Sequence, residues 1–164
     1  MDLYHLCNRG VDKRRVVTTD SDRLRFVHSL YVLNDQNYVD ENHRKKGWRP
    51  GSTERGPLVH IHAWCLMHNH YHLLVSPAED DERNISLFAK KLNMGYAKYF
   101  NEKYERTGAL WQGRYKKILI ERDAHYLYIP FYIHLNPLDY SHPDWREGGV
   151  SNSRAAIAAL TKYR

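Results

Sequence analysis

Three features of the amino-acid sequence predict an α+β fold built as one domain over residues 1–164. Stretches whose apolar residues recur every second position alternate with stretches whose apolar residues recur every third and fourth, so strands and helices are interleaved. Two strand-like stretches are separated only by Met67-His68-Asn69, a connection short enough for a hairpin and too short for a parallel crossover. A length of 164 residues, 42% hydrophobic and 27% charged, suits a single domain with its own core.

Leu3 to Cys7 reads as a short strand stopped by the turn signal Asn8-Arg9-Gly10, with the basic cluster Lys13, Arg14 and Arg15 directly after it. Thr19, Asp20, Ser21 and Asp22 offer N-caps to a first helix over residues 20–34, whose apolar stripe is Leu24, Phe26, Val27, Leu30, Tyr31 and Leu33. From Asn34 to Pro57 the periodicity lapses into a polar loop rich in Gly and Pro. Loops of this length are usually functional or disordered, and Arg44, Lys45, Lys46, Arg49 and Arg55 suit a phosphate backbone; a solvated surface insertion fits equally well.

Val59, Ile61, Ala63 and Cys65 alternate with His60, His62 and Trp64, the pattern of a half-buried strand, and His70 to Val75 makes a second, closed by Pro77. The two read as an antiparallel hairpin, or as one long strand with a bulge. Asn84 or Ser86 caps a second helix with Ile85, Phe88, Leu92, Tyr96 and Tyr99 on one face, ending near Thr107-Gly108. Ile118 and Ile120 mark a strand within Lys116 to Glu121. Asp123 caps a third helix containing HYLYIPFYIHLNP, in which Pro130 predicts a kink or a fresh start, and Arg154 to Leu160 predicts a short Ala-rich helix. This order of elements predicts a ferredoxin-like (RRM-like) antiparallel sheet with helices on one face and an additional C-terminal helix.

Lys and Arg number 25 against 19 Asp and Glu, a formal charge of +6, and 13 of the residues are Tyr; the balance points to a polyanion as partner. Cys7 and Cys65 are too few for a disulfide framework or a four-cysteine zinc site. The start MDLYHLCNRG lacks a basic leader with an apolar core, and no stretch approaches the ~20 apolar residues of a membrane span. A cytoplasmic protein with its true N-terminus and no membrane contact is the expectation.

His70 and His72 are two apart on a predicted strand, so both rings project from one face about 7 Å apart, a spacing at which two imidazoles can chelate one divalent ion. Tyr132 and Asn136 are four apart on a predicted helix that Pro137 ends, hence on one face. Laid across the histidine face, that helix would bring the Asn136 carbonyl oxygen to the ion and the Tyr132 hydroxyl to a phosphodiester. The plainer alternative is a core tyrosine and a helix-terminal asparagine.

The segment AWCLMHNHYHLLVSP resembles the His-hydrophobic-His (HUH) segment of single-tyrosine transposases. YHLCNRGVDKRRV resembles that family's first strand and basic turn, ALWQGRYKKILIE its LWQGR segment, and FYIHLNP its YIHLNP segment. The four blocks occur in order over most of residues 3–137, and the last two are most similar to the REP-associated tyrosine transposases. The resemblance implies that His70 and His72 bind a divalent metal, Mg2+ or Mn2+, that Asn136 completes its coordination, and that Tyr132, on the C-terminal helix, is the nucleophile. It implies a partner, single-stranded DNA folded as a hairpin at a palindromic repeat, cleaved and rejoined through a 5′-phosphotyrosine by a monomer or homodimer at the bacterial or archaeal nucleoid. His68 stands where the family commonly has Pro, and Leu138-Asp139-Tyr140 replaces its Val-Arg-Ala. Tyr126 and Tyr128 are competing nucleophiles.

For the DNA itself, Arg14, Arg15, Arg114, Lys116 and Lys117 are the expected phosphate contacts, and Trp111 and Tyr115 the expected stacking platforms for unpaired bases. Two other mechanisms compete with transposition: a replication-initiator-like nickase, and a nucleic-acid-binding module of the same fold without catalysis. A small zinc hydrolase is disfavoured because no carboxylate stands near the histidines in sequence.

Overall fold

The first strand sets the two faces of the molecule. In the computed structural model, which describes residues 2–37, 55–121 and 123–140, β1 (Tyr4–Arg9) directs Tyr4 and Leu6 into the larger hydrophobic core, while His5 and Cys7 turn to the opposite face. β1 lies between β3 (His70–Pro77) and β4 (Lys116–Leu119), and β3 is flanked on its other side by β2 (Val59–Leu66), giving a four-stranded sheet of order β2-β3-β1-β4. Every neighbouring pair is antiparallel. The fold is thus α+β, with elements in the order that the sequence predicts.

Helices α1 (Asp20–Val32) and α2 (Arg83–Lys103) cover the face carrying Tyr4, Leu6, Tyr71, Leu73 and Val75, through Phe26 and Leu30 from α1 and Ile85, Phe88, Leu92, Tyr96 and Phe100 from α2. The α1 stripe is narrower than expected, because Leu24, Val27 and Tyr31 are exposed and the buried face of α1 is completed by Asp22 and Ser29. α2 begins at Arg83, one residue before the expected Asn84 cap, and ends at Lys103, short of Thr107-Gly108. Helix α3 (Asp123–Leu135) packs on the opposite face, where Ile133, with Ile129 and Tyr132 beside it, meets Ala63, Cys65, Met67, Leu74 and Ile120. It runs through Pro130 as one helix and continues into a 3-10 turn, Asn136–Tyr140.

The hairpin reading of β2 and β3 holds, and the bulge is present as well. Ile61 pairs with Val75 but Ala63 pairs with Leu74, so the register slips between them. An extra residue in one strand reverses which face its side chains take. Val59 and Ile61 therefore belong to the α1/α2 core, whereas Ala63 and Cys65 belong to the α3 side.

Asp22 joins α1 to α2. Its carboxylate accepts the Thr18 and Thr19 amides on Oδ2, both at 2.9 Å, with the Tyr104 hydroxyl at 2.7 Å, and Lys103 Nζ at 2.6 Å and the Tyr99 hydroxyl at 3.0 Å on Oδ1. Burial alone would raise its pKa, but these donors overcome it and hold the carboxyl well below the usual range.

Arg55 is engaged by the fold rather than left for phosphate: it donates to Tyr31 O at 2.7 Å, pairs with Asp35 and lies over the Tyr31 ring. Arg44, Lys45, Lys46 and Arg49, and the helix expected over Arg154 to Leu160, lie outside the described residues. No helix among the described residues is long and apolar enough to cross a membrane.

Candidate active site

The α3-side face of the sheet collects three imidazoles, a thiol and a phenol. In the β1/β3 ladder Cys7 pairs with His72 and His5 with Leu74, so the odd-numbered side chains of β1 and the even-numbered ones of β3 share one surface. His5 Nε2 lies 2.8 Å from His72 Nδ1 with the two rings stacked at 5.0 Å, and the His70 ring meets His72 edge-on at 4.9 Å. The Tyr132 ring approaches from α3, edge-on to His72 at 5.5 Å and to His5 at 6.3 Å between centroids. His70, His72 and Tyr132 are therefore brought together on one face of the sheet.

Two short polar networks orient these groups. Asn69 donates from Nδ2 to Lys13 O at 3.2 Å, which turns its Oδ1 to the His70 ring 2.6 Å away. An amide oxygen only accepts, so His70 donates from Nδ1, which in the neutral ring leaves the lone pair on Nε2; partners of this kind fix the tautomer of metal-binding histidines. Asn136, the first residue of the 3-10 turn that follows α3, is buried and donates from Nδ2 to Tyr132 O at 2.7 Å, tying the two residues together. Tyr140, which stands in the divergent Leu138-Asp139-Tyr140 stretch, accepts the His68 amide on its hydroxyl at 2.7 Å and packs its ring on His68 at 4.4 Å. It pins the end of α3 to the β2/β3 turn, and His68 serves that turn.

His5 and Cys7 are the residues that the sequence argument overlooked. Among the described His, Cys and carboxylate side chains, those of His5, Cys7 and His72 converge, with ligand atoms all within 4.8 Å of one another, a group able to hold a metal ion. The available signal was the alternation Leu3, His5, Cys7 on one face of the first strand. Burial lowers the His5 pKa, which keeps its ring neutral and able to act as a ligand. Burial raises the Cys7 thiol, with Lys116 and Arg9 opposing it.

Basic residues gather at the end of the sheet where His70 lies. Arg9 pairs with His70 in the ladder, and the turn bearing Arg14 and Arg15 is fastened to the hairpin by Gly10 N to Asn69 O at 2.8 Å and Val16 N to His68 O at 2.7 Å. Arg14 and Arg15 are exposed, as are Arg114 and Lys116. Lys117, on the other face of β4, is paired with Glu82 at 2.7 Å, and Tyr115 is half-buried against the core. Trp111 corrects an expectation: its indole is buried, donates to Asn93 O at 3.0 Å and stands edge-on to Tyr71, so its faces are spent on packing and are not offered to a base.

Residues 53–136 match the family model for IS200-like transposases. The chain belongs to that family. Two of the solved structures similar to it are a REP-associated tyrosine transposase bound to a REP hairpin and a candidate transposase from Deinococcus radiodurans. The first is 19% identical, with 85% of this chain and 67% of that one covered and a TM-score of 0.48. The second is 18% identical, with 82% and 90% covered and a TM-score of 0.45. No curated protein matches the chain. Membership of a transposase family implies a DNA-cleaving enzyme.

Proposed function

We propose that this IS200-like transposase is a metal-dependent single-stranded DNA transesterase that cleaves and rejoins hairpin DNA through a 5′-phosphotyrosine on Tyr132. The observation that carries the reading is the seating of the Tyr132 ring against His72 on the face that also bears His70. On this reading the sheet is a ferredoxin-like platform, with α1 and α2 as its support and α3 as the carrier of the nucleophile.

The donor chemistry fits a divalent ion. His70 offers Nε2 because Asn69 holds its Nδ1, and Asn136, whose Nδ2 is committed to Tyr132 O, offers Oδ1; with His72 this makes two imidazoles and an amide oxygen. Such a mixed set suits Mn2+ better than Mg2+, which favours oxygen ligands and retains water. When bound, the ion would supply Lewis-acid charge withdrawal at the phosphate under attack, which assists attack by a weak nucleophile such as a phenol.

The residues of the chain do the rest. Tyr132 Oη forms a bond to phosphorus as the bond from phosphorus to the 3′ oxygen breaks; the phenol proton leaves and the 3′ oxygen gains one. One phosphodiester replaces another, so a later 3′-hydroxyl can reverse the step without ATP. Ile133, buried next to Tyr132 in the α3 interface, fixes the distance of the phenol from the histidines. Arg14, Arg15, Arg114 and Lys116 hold the backbone of the hairpin, while Lys117 is engaged with Glu82 on the other face of the sheet, and Tyr115 adds a half-exposed ring beside Arg114, whose guanidinium lies 5.7 Å from the ring centroid.

Incubation with a panel of hairpin oligonucleotides and Mn2+, followed by denaturing gels, tests this. Wild type should give a covalent protein–DNA adduct, and Tyr132→Phe should lose the adduct while binding hairpins as before. Tyr128 is exposed and its ring lies 6.0 Å from that of Tyr132. An adduct that survives Tyr132→Phe and disappears in Tyr128→Phe would move the nucleophile one turn back. Survival in both variants would end the mechanism.

A further inference from the structure

We propose that His5, Cys7 and His72 form a site for a zinc-class cation, and that an ion held there takes His72 away from the His70, His72 and Asn136 set. The second half rests on the proposed function; the first does not.

The site is built by the sheet rather than by mobile loops. Cys7 and His72 are opposite one another in the β1/β3 ladder, and His5 stands two residues along the same face. Their ligand atoms lie within 4.8 Å of one another, and His5 Nε2 and His72 Nδ1 are 2.8 Å apart. Zn–N bonds of about 2.0–2.1 Å and a Zn–S bond of about 2.3 Å in a tetrahedron put donors roughly 3.3–3.6 Å apart. The imidazole pair, at 2.8 Å, is closer than that value and would open slightly, and the 4.8 Å bound on the set leaves the thiol within reach by side-chain rotation on a fixed backbone.

The donor types point to the ion. A thiolate with two imidazoles is a soft, nitrogen- and sulfur-rich set that favours zinc over magnesium or manganese, and three protein ligands leave a fourth tetrahedral position open. The proposed transesterification uses neither His5 nor Cys7 as a ligand. His72 belongs to both donor sets, and an ion between its Nδ1 and His5 Nε2 would replace their present hydrogen bond and hold the ring in place. Zinc would then act as an inhibitor of the Mn2+-supported reaction, acting on the metal set rather than on DNA binding.

The test uses the full chain, reduced and freed of metal by a chelator, with Co2+ as a spectroscopic stand-in for zinc. Wild type should show a thiolate-to-cobalt charge-transfer band that saturates at one equivalent and is abolished by one equivalent of Zn2+. Cys7→Ser and Cys7→Ala should both lose the band and weaken Zn2+ binding by about tenfold or more, at least the scale on which metal sites respond to the loss of outer partners. Cys65→Ser and His70→Ala should keep the band. Absence of the band in wild type, its persistence in either Cys7 variant, or its loss in His70→Ala would overturn the site. In the adduct assay, Zn2+ should suppress the Mn2+-dependent product of wild type with hairpin binding unchanged. Zinc that occupies the site without suppressing the adduct would overturn the competition. A Cys7-dependent band in a protein that forms no adduct with any metal would refute the transesterase reading and support the site.

Discussion

Replacing Asp22 by Asn removes one charge from a buried cluster and changes almost no volume, so it measures what holds α1 against α2. The carboxylate accepts five hydrogen bonds, two from backbone amides at the helix start, two from tyrosine hydroxyls and one from Lys103. An amide has one acceptor oxygen. If its NH2 takes the place of Oδ2 it faces the Thr18 and Thr19 amides, and if it takes the place of Oδ1 it faces the Lys103 ammonium. Hydroxyls can rotate to accept, but amides and an ammonium cannot, so at least one strong donor loses its partner.

Breaking a buried charged pair costs about 3–5 kcal/mol, and the loss of a helix-start acceptor about 1 kcal/mol. Lys103 keeps contact with water, its side chain being 28% exposed, so the lower end applies, about 3 kcal/mol. For a chain of this size that corresponds to a fall in Tm of roughly 6–12 °C. The pH dependence has a definite sign. Because the folded carboxyl is held below its unfolded value of about 3.9, its contribution is complete above that pH and is lost as pH falls towards the folded value. Urea unfolding of both proteins between pH 3 and pH 7 should therefore show a constant difference above about pH 5 and a shrinking one below about pH 4. A variant within about 1 kcal/mol of wild type at pH 7 would refute the reasoning, since it would mean that the donors find water at no cost.

Three other perturbations bear on the site. Ile133→Ala, at a fully buried position between α3 and the sheet, should cost about 2–5 kcal/mol by urea unfolding and should reduce adduct yield out of proportion to hairpin binding; full adduct yield would mean that α3 docking does not position Tyr132. Gly10→Ala puts a Cβ 2.5 Å from Arg14 O and 2.8 Å from Val16 Cγ1, so the basic turn must move, and hairpin affinity measured by gel shift should fall while the Asp22 cluster is untouched. Hairpin affinity should fall steeply from low to physiological salt through counterion release, and a flat dependence would exclude phosphate contacts as the main source of binding.

Much of the site was readable from local spacing. The period of two that places His70 and His72 on one face is a property of the backbone and needs no tertiary information, and so is the spacing of four that links Tyr132 to Asn136, although the helix ends at Leu135 and Asn136 opens the 3-10 turn after it. The Met67-His68-Asn69 turn and the helix start at Asp123 were equally local. Other features depend on pairing. The slip between Ile61 and Ala63 leaves the alternating pattern of β2 intact, and only the register against Val75 and Leu74 shows that its two halves face different cores. Trp111 and Arg55 read as surface contacts because an aromatic beside basic residues looks alike whether packed or exposed; burial against Tyr71 and Asp35 pairing decided otherwise. His5 and Cys7 became partners of His72 only because β1 is inserted between β3 and β4, which joins residues 67 apart in the chain by a 2.8 Å contact. Which residues share a face of one element follows from backbone geometry, whereas which elements share a face of the sheet follows from strand order, and strand order is a property of the folded chain alone.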